Sequence, residues 1–526
     1  MSSVAAFQLV LIALVAMVGL QLLATRLRFP PAAALLLGGI ALAFVPGLPP
    51  IKLDPDLVLI VFLPPLLMNG AYFSVWDDLK THLGAILILA VGAVVFTTLC
   101  VGLVLHAFVP ALPWAACFAL GAIVSPPDAV AAKAVLERLS LPRRLTVLLE
   151  GESLLNDAAG LVLVRFAVTA SLTGAFSASH AVVSFAALAV GGVAVGAILG
   201  FVLIKALRFL DDDFLVITTT LLASWISYIV ADLIGVSAVI STVTCGLAVG
   251  WYQHEVFSAT VRMRGSSFWA VMVFVLEALV FILIGLSLRG VIERLSAHGA
   301  LAELIPAVIA VVVAVIVSRI IFVFGVDAFN AIARRMHSDR SRTDWKATTI
   351  LGWAGMRGVV TLAIALGLPE AMPGRDLILI ASFAVILVTI VGQGATISAV
   401  IRWLKPEQGA ARSAHHLSEP QAWAHIEAAQ FAAIERLVYD ADGQLVHPRL
   451  YEQYSYRANL SKSMGELETF PNERRAAHYD VVLAAIAAGR EELLRLHRAG
   501  RLHDATMHVF ERDLDLQEIT ARHNRG

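Results

Sequence analysis

Asp157 stands in the run Gly151-Glu152-Ser153-Leu154-Leu155-Asn156-Asp157, inside a stretch otherwise apolar enough to cross a membrane. An ionisable side chain at bilayer depth costs roughly 2.5–3.5 kcal/mol, so it pairs, protonates or faces a water-filled path. Glu152 and Asp157 lie within two helical turns, a placement that packing alone does not justify. On a helix, Ser153 and Asp157 share one face, while Glu152 and Asn156 share the neighbouring one. With Asp128 and the carbonyls freed around Pro127 they make an oxygen-only, negatively charged set, suited to a hard monovalent cation such as sodium. Desolvation strengthens a carboxyl's hold on its proton. Competition of one proton with one cation for one carboxylate is then sufficient for obligatory exchange.

The other charges in apolar stretches need partners. For Glu152 the candidates are Arg319 and Arg357, and a buried Glu–Arg pair is structural, because breaking one costs about 3–5 kcal/mol while the intact pair adds little. Glu277, in Phe274-Val275-Leu276-Glu277-Ala278, reads either as a partner at a helix interface or as a carboxylate on a cation access path. Arg165 snorkels or pairs near a helix end, and Asp232 lies close to a loop. Ser153 lacks what a membrane-embedded hydrolase needs: no His lies deep in a span near it, and Gly-Glu-Ser has no strand-to-helix context.

These groups must be positioned by membrane helices. The chain has 526 residues, 59% hydrophobic and 15% charged, with a mean hydropathy of +0.80. Windows of about 20 apolar residues, enough to cross a hydrocarbon core of roughly 30 Å, can be placed thirteen times between residues 4 and 403. All read as helices, since in lipid every backbone polar group must find an internal partner. The expected class is therefore an all-α polytopic membrane protein. Two spans are interrupted. The fifth carries Ser125-Pro126-Pro127-Asp128, whose prolines remove two backbone donors, and the twelfth carries Gly352-Trp353-Ala354-Gly355-Met356-Arg357-Gly358. Interrupted helices at corresponding positions of two halves point to an inverted-repeat transporter with its site at the midplane.

With the N-terminus outside, eighteen Lys and Arg fall in cytoplasmic loops and four, Lys52, Arg289, Arg294 and Arg375, in the opposite loops. The positive-inside rule selects this topology and places the C-terminus in the cytoplasm. The first apolar run reads as a retained span, not a signal peptide. Cys100, Cys117 and Cys245 all lie in apolar spans, which excludes a disulfide framework. Hydropathy collapses after residue 405, so the expected division is a transmembrane domain over 1–405 and a helical cytosolic domain over 406–526. The latter holds 14 Lys plus Arg, 18 Asp plus Glu and nine of the fifteen His. Its His residues read as solvated surface groups, and with no Cys beside them zinc is disfavoured. Helices are expected from Ser418-Glu419-Pro420 to about Val438, from about Asn472 to Gly500, and after Asp504.

Four runs carry a resemblance: Phe62-Leu63-Pro64-Pro65-Leu66-Leu67, Ser125-Pro126-Pro127-Asp128-Ala129-Val130, the Gly151 to Asp157 run, and Gly355-Met356-Arg357-Gly358. In this order, over about 400 residues, they resemble the sodium/proton antiporters of the NhaP/NHE type. The resemblance implies a homodimer in the bacterial inner membrane, with crossed broken helices in an elevator-like core and roles in cytoplasmic pH and sodium homeostasis. It makes Asp157 the shared ion and proton carrier, puts Ser153, Asp128, Asn156 and Pro127 in the cation site, pairs Glu152 with Arg319, and has Arg357 orient the broken helix. An Asn-Asp pair implies electroneutral one-for-one exchange. Two departures stand out. Pro127 replaces the usual Thr before the Asp, and Asn69 stands where the third helix often has Glu, so Asn69 and Glu277 are accessory candidates. The partners implied are sodium or lithium, protons and the lipid bilayer, with no cofactor, no resident metal, no nucleic acid and no enzymatic turnover. A potassium/proton antiporter of the same fold is the alternative, ahead of a cation channel.

Overall fold

The structure, a computed structural model, describes residues 3–27, 29–46, 55–128, 141–174, 178–296, 301–336, 344–406, 417, 419–440, 442–466, 472–499, 501–502 and 504–525. The chain divides into two compact units, Met1–Gly409 and Ala410–Gly526. Both are helical, and among the described residues the only β pairing is an isolated bridge between Tyr439 and Leu445.

The first unit begins with α1 (Ser3–Leu27), α2 (Pro31–Ala43) and α3 (Pro55–Tyr72). Next come α4 (Trp76–Phe108), α5 (Trp114–Val124), α6 (Arg143–Thr173) and α7 (Ala178–Leu207). Then follow α8 (Asp213–Ile234), α9 (Ala238–Val256), α10 (Ala259–Ser296) and α11 (Leu301–Met336). The unit closes with the short α12 (Trp345–Trp353) and α13 (Val359–Leu366) and with α14 (Arg375–Leu404). Among the described residues nine helices are long and apolar enough to cross a membrane, and α2 and α5 are shorter apolar helices. Side chains such as Val15, Val190 and Leu233 are exposed on their outer faces, as expected of surfaces solvated by lipid.

Two of the four buried clusters among the described residues gather different sets of helices, and the other two join helices of both sets. In one set, α4, α5, α11, α13 and α14 share a core that includes Val101, Leu120, Val311, Ile364 and Ile378, with α6 packed on it through Val164. In the other set, α3, α7, α8, α9 and α10 enclose Met68, Leu203, Val216, Cys245 and Trp269. Both α4 and α14 contain a π-helical turn, at Ile88–Ala93 and Thr389–Gln393. Such turns open the backbone ladder and often mark functional positions.

The second unit contains α15 (Glu419–Leu437), α16 (Pro448–Glu466), α17 (Asn472–Arg498) and α18 (Asp504–Arg525). The expected caps at Ser418 and Gly500 lie outside the described residues. The helix α16 was not foreseen. Its half-buried positions, Tyr451, Tyr454, Ser455, Ala458 and Ser461, keep helical spacing, but tyrosine, serine and alanine leave no hydropathy stripe to detect. Arg457 anchors it to α15 through the buried Glu427, at 2.7 Å.

Candidate functional site

The fifth and twelfth spans break in opposite ways. The helix α5 stops at Val124 ahead of Pro126 and Pro127, because prolines cannot donate and clash with the preceding turn. The span through α12 opens at Ala354 and resumes at Val359, with Gly355 and Gly358 in the gap. The two open stretches cross and tie to each other twice. The Asp128 N–H donates to Met356 O at 2.7 Å, and Arg357 Nε donates to Val124 O at 2.6 Å. At the crossing Gly358 has no room for a side chain, since a Cβ there would overlap the Asp128 carboxylate.

Arg357 is 1% exposed and is satisfied by backbone. Besides Val124 O it donates to Gly355 O at 2.9 Å, and its own N–H donates to Thr389 Oγ1 at 3.1 Å, in the π turn of α14. The guanidinium thus sits at the C-terminal carbonyls of α5, the negative end of that helix dipole. Arg319 instead takes Glu152, donating to both carboxylate oxygens at 2.6 and 2.9 Å and to Leu351 O at 3.2 Å. A bidentate geometry of this kind is the strong form of the carboxylate–guanidinium contact.

A cavity of about 540 Å³ lies between the two helical groups, and Asp128, Ser153 and Asp157 all line it, with Asn69 of α3 and Glu277 of α10. The Asp128 and Asp157 carboxylates thus share one cavity. Two carboxylates in one low-dielectric site resist joint ionisation unless a proton or a cation accompanies them. Asn156 and Pro127 do not line the cavity. Asn156 is fully buried and its Nδ2 donates to Pro127 O, so the amide props the broken stretch from behind. That carbonyl keeps a second lone pair. Glu152, Arg319 and Arg357 likewise stand behind the cavity wall. Arg165 and Asp232 face each other at 3.8 Å, both largely exposed.

Two participants were not singled out from the sequence. Thr389 looks like an ordinary span residue until Arg357 is found against it. Glu150 lines the cavity, and its spacing to Ser153 and Asp157, three and seven residues, is the signal that could have exposed it.

A family described as sodium/hydrogen exchanger, transmembrane, matches residues 10–403. A sodium, potassium, lithium and rubidium/H+ antiporter of Bacillus pumilus (strain SAFR-032) is 34% identical over 370 residues, 68% of this chain and 55% of that protein. The chain therefore matches about half the length of that relative. The Na+/H+ antiporter ApNhaP of Aphanothece halophytica is 31% identical over 381 residues, 72% of this chain and 70% of that protein. In fold, the sodium proton antiporter MjNhaP1 of Methanocaldococcus jannaschii superposes with a TM-score of 0.59 at 20% identity, covering 75% of this chain and all of that one.

Proposed function

Because the chain belongs to the sodium/hydrogen exchanger family, we propose that it is a secondary antiporter that exchanges sodium, or lithium, for protons across the bacterial inner membrane. The observation that carries this reading is the cavity on which Asp128, Ser153 and Asp157 converge beside the crossed broken stretches. An antiporter of this kind needs a carboxylate largely shielded by the protein yet reachable by water and cations, and Asp157 is half-buried at the cavity wall.

The mechanism follows from charge. With a proton or a sodium ion on Asp157 the site carries the same net charge, so both loaded forms are equally able to cross. The empty form carries one more negative charge, and moving it through the hydrocarbon region is penalised. Exchange is thereby obligatory, one proton for one cation, and electroneutral. Asp128 and Ser153 complete the cation's oxygen shell, and Asn156, bonded to the Pro127 carbonyl behind the cavity wall, holds the broken stretch that carries Asp128 in place. The rearrangement is an elevator-like movement of the group holding α5, α6, α12 and α13 against the group holding α3 and α10, within a thirteen-span protomer of a homodimer. The N-terminus lies outside and the C-terminus in the cytoplasm, and the outcome is sodium expulsion and control of cytoplasmic pH.

The test is dissipation of a pH gradient in proteoliposomes on adding Na+, Li+ or K+, for wild type and Asp157→Asn, with and without a membrane-potential clamp. Sodium-driven dissipation that ignores the clamp and vanishes in Asp157→Asn is expected. A response to potassium alone would replace sodium as the substrate, and full activity in Asp157→Asn would sink the mechanism.

A further inference from the structure

The first turn of α13 brings a second hydroxyl to the cavity. Thr361 is the third residue of that helix, after Gly358 at the N-cap, and it is 2% exposed. It lines the cavity together with Asp128, Ser153 and Asp157. Its neighbours fix where it stands. The Asp128 carboxylate fills the space of a Gly358 side chain, the place from which an N-cap group reaches the second and third residues of a helix. Those residues are Val360 and Thr361. Val360 also packs on a cluster that includes Leu154 and Ala158 of α6, the sequence neighbours of Ser153 and Asp157. Thr361 therefore stands where the second broken span meets the elements that carry both carboxylates.

The Thr361 hydroxyl is also uncommitted. Buried threonines elsewhere in the spans bond back to a carbonyl three or four residues earlier: Thr98 to Val94 O and Thr220 to Ile217 O, both at 2.7 Å, and Thr242 to Ala238 O at 3.0 Å. Thr361 has no helical turn behind it to supply such a partner, because the residues three and four earlier are Gly358 and Arg357, at the opening of the span. Among the described residues its hydroxyl has no hydrogen-bond partner, and its oxygen is not one of those both unpaired and sealed from solvent. That leaves the oxygen open to the cavity the residue lines. A hydroxyl has two lone pairs and one hydrogen to donate, so it can offer oxygen to a cation while its hydrogen points to a carboxylate.

We propose that the Thr361 hydroxyl is a ligand of the transported cation, supplied by the second broken span to the site formed by Asp128, Ser153 and Asp157. The inference rests on the antiport reading. A hydroxyl oxygen holds a hard cation but gives nothing to a proton bonded to Asp157, so Thr361 weights the competition toward the cation. Its loss raises the cation KM by one factor at every pH and leaves unmoved the pH at which protons begin to compete.

The experiment measures cation-driven dissipation of a pH gradient in proteoliposomes across a series of pH values. Na+ is titrated, or K+ if only K+ acts, for full-length wild type, the near-isosteric Thr361→Val, and Thr361→Ser, which keeps the hydroxyl. Titration of thermal unfolding in detergent with the same cation reads binding apart from transport. In Thr361→Val the KM, and the cation concentration at which stabilisation sets in, are expected to rise roughly tenfold, as for loss of one contact to a charged group. The pH break is expected to stay in place, and Thr361→Ser to stay near wild type. A wild-type KM in an active Thr361→Val, a loss that Thr361→Ser does not rescue, or a raised KM with a displaced pH break overturns the inference alone. Where Thr361→Val does not accumulate, Thr361→Ala removes the same oxygen; if neither accumulates, Thr361 is structural and the inference falls. A wild type in which no alkali cation moves protons overturns the antiport reading and the inference with it.

Discussion

Gly358 is a glycine because Asp128 occupies the space its side chain would need. Overpacking a tight site costs about 1–3 kcal/mol, and here the yielding group is a carboxylate of the cavity. Gly358→Ala is expected to leave a folded protein whose sodium KM is raised about tenfold or more, read from cation titration of gradient dissipation; an unchanged KM would show that Asp128 does not need its observed position. Glu152 and Arg319 carry the opposite expectation. Both are buried and away from the cavity, so Glu152→Gln or Arg319→Gln should lower stability by about 3–5 kcal/mol while the sodium KM of surviving protein stays near wild type. A combined Glu152→Leu, Arg319→Met variant should recover most of that loss in detergent unfolding assays. Single variants as stable as wild type, with altered KM, would move this pair into the ion path.

At the scale of elements, the break in α5 is legible because Pro126-Pro127 can be read locally, and the opening between α12 and α13 because three glycines cluster there. What closes the breaks is not local. Val124 O and Pro127 O find Arg357 and Asn156, and the π turn of α14 supplies the hydroxyl that accepts the Arg357 N–H. The hairpin of α17 and α18 is a second element whose contacts carry a pH signature. Arg490 bonds Glu518 at 2.6 Å and Asp515 beside it. Its hydrogen bond, then that of Arg522, holds the Glu518 carboxyl below the usual carboxylate range. A carboxyl whose folded value is depressed stabilises fully above its unfolded value, about 4.3, and loses that contribution as pH falls through the lower folded value. Hydrogen exchange over residues 504–525 of the full chain, corrected for intrinsic rates, should therefore be flat above about pH 5.5 and rise below about pH 4. In Glu518→Gln the neutral-pH protection should be weaker and that acid-side rise reduced. Identical profiles for the two proteins would show that the pair does not clasp the hairpin.

For the whole molecule, the bias of Lys and Arg among the loops predicts which surface meets which compartment. The three cysteines, Cys100, Cys117 and Cys245, are unpaired thiols in apolar helices, so single reporters can be introduced after they are replaced. Glu370→Cys, at an exposed position between α13 and α14, should react with a membrane-impermeant maleimide in intact cells. Asp442→Cys in the second unit should react only after the membrane is opened. The reverse pattern would invert the topology.

The sequence by itself determined the helical class, the membrane setting and the two breaks, because hydropathy, proline and glycine act on the residues that carry them and their immediate neighbours. It also marked Asp157 and Asp128, since a charge in an apolar run is conspicuous without any knowledge of contacts. The residues alone left Glu152 either Arg319 or Arg357, the family resemblance implied Arg319, and in the tertiary structure Glu152 meets Arg319 while Arg357 turns to carbonyls; only that structure decided that Asn156 supports Pro127 instead of facing the cavity, and that Glu150 shares the cavity with Asp157. Partners 167 and 233 residues apart make the first of these contacts. Such contacts are selected by which helix faces pack together, and a charge pattern that allows either arginine to serve Glu152 leaves that choice to the geometry of the folded chain.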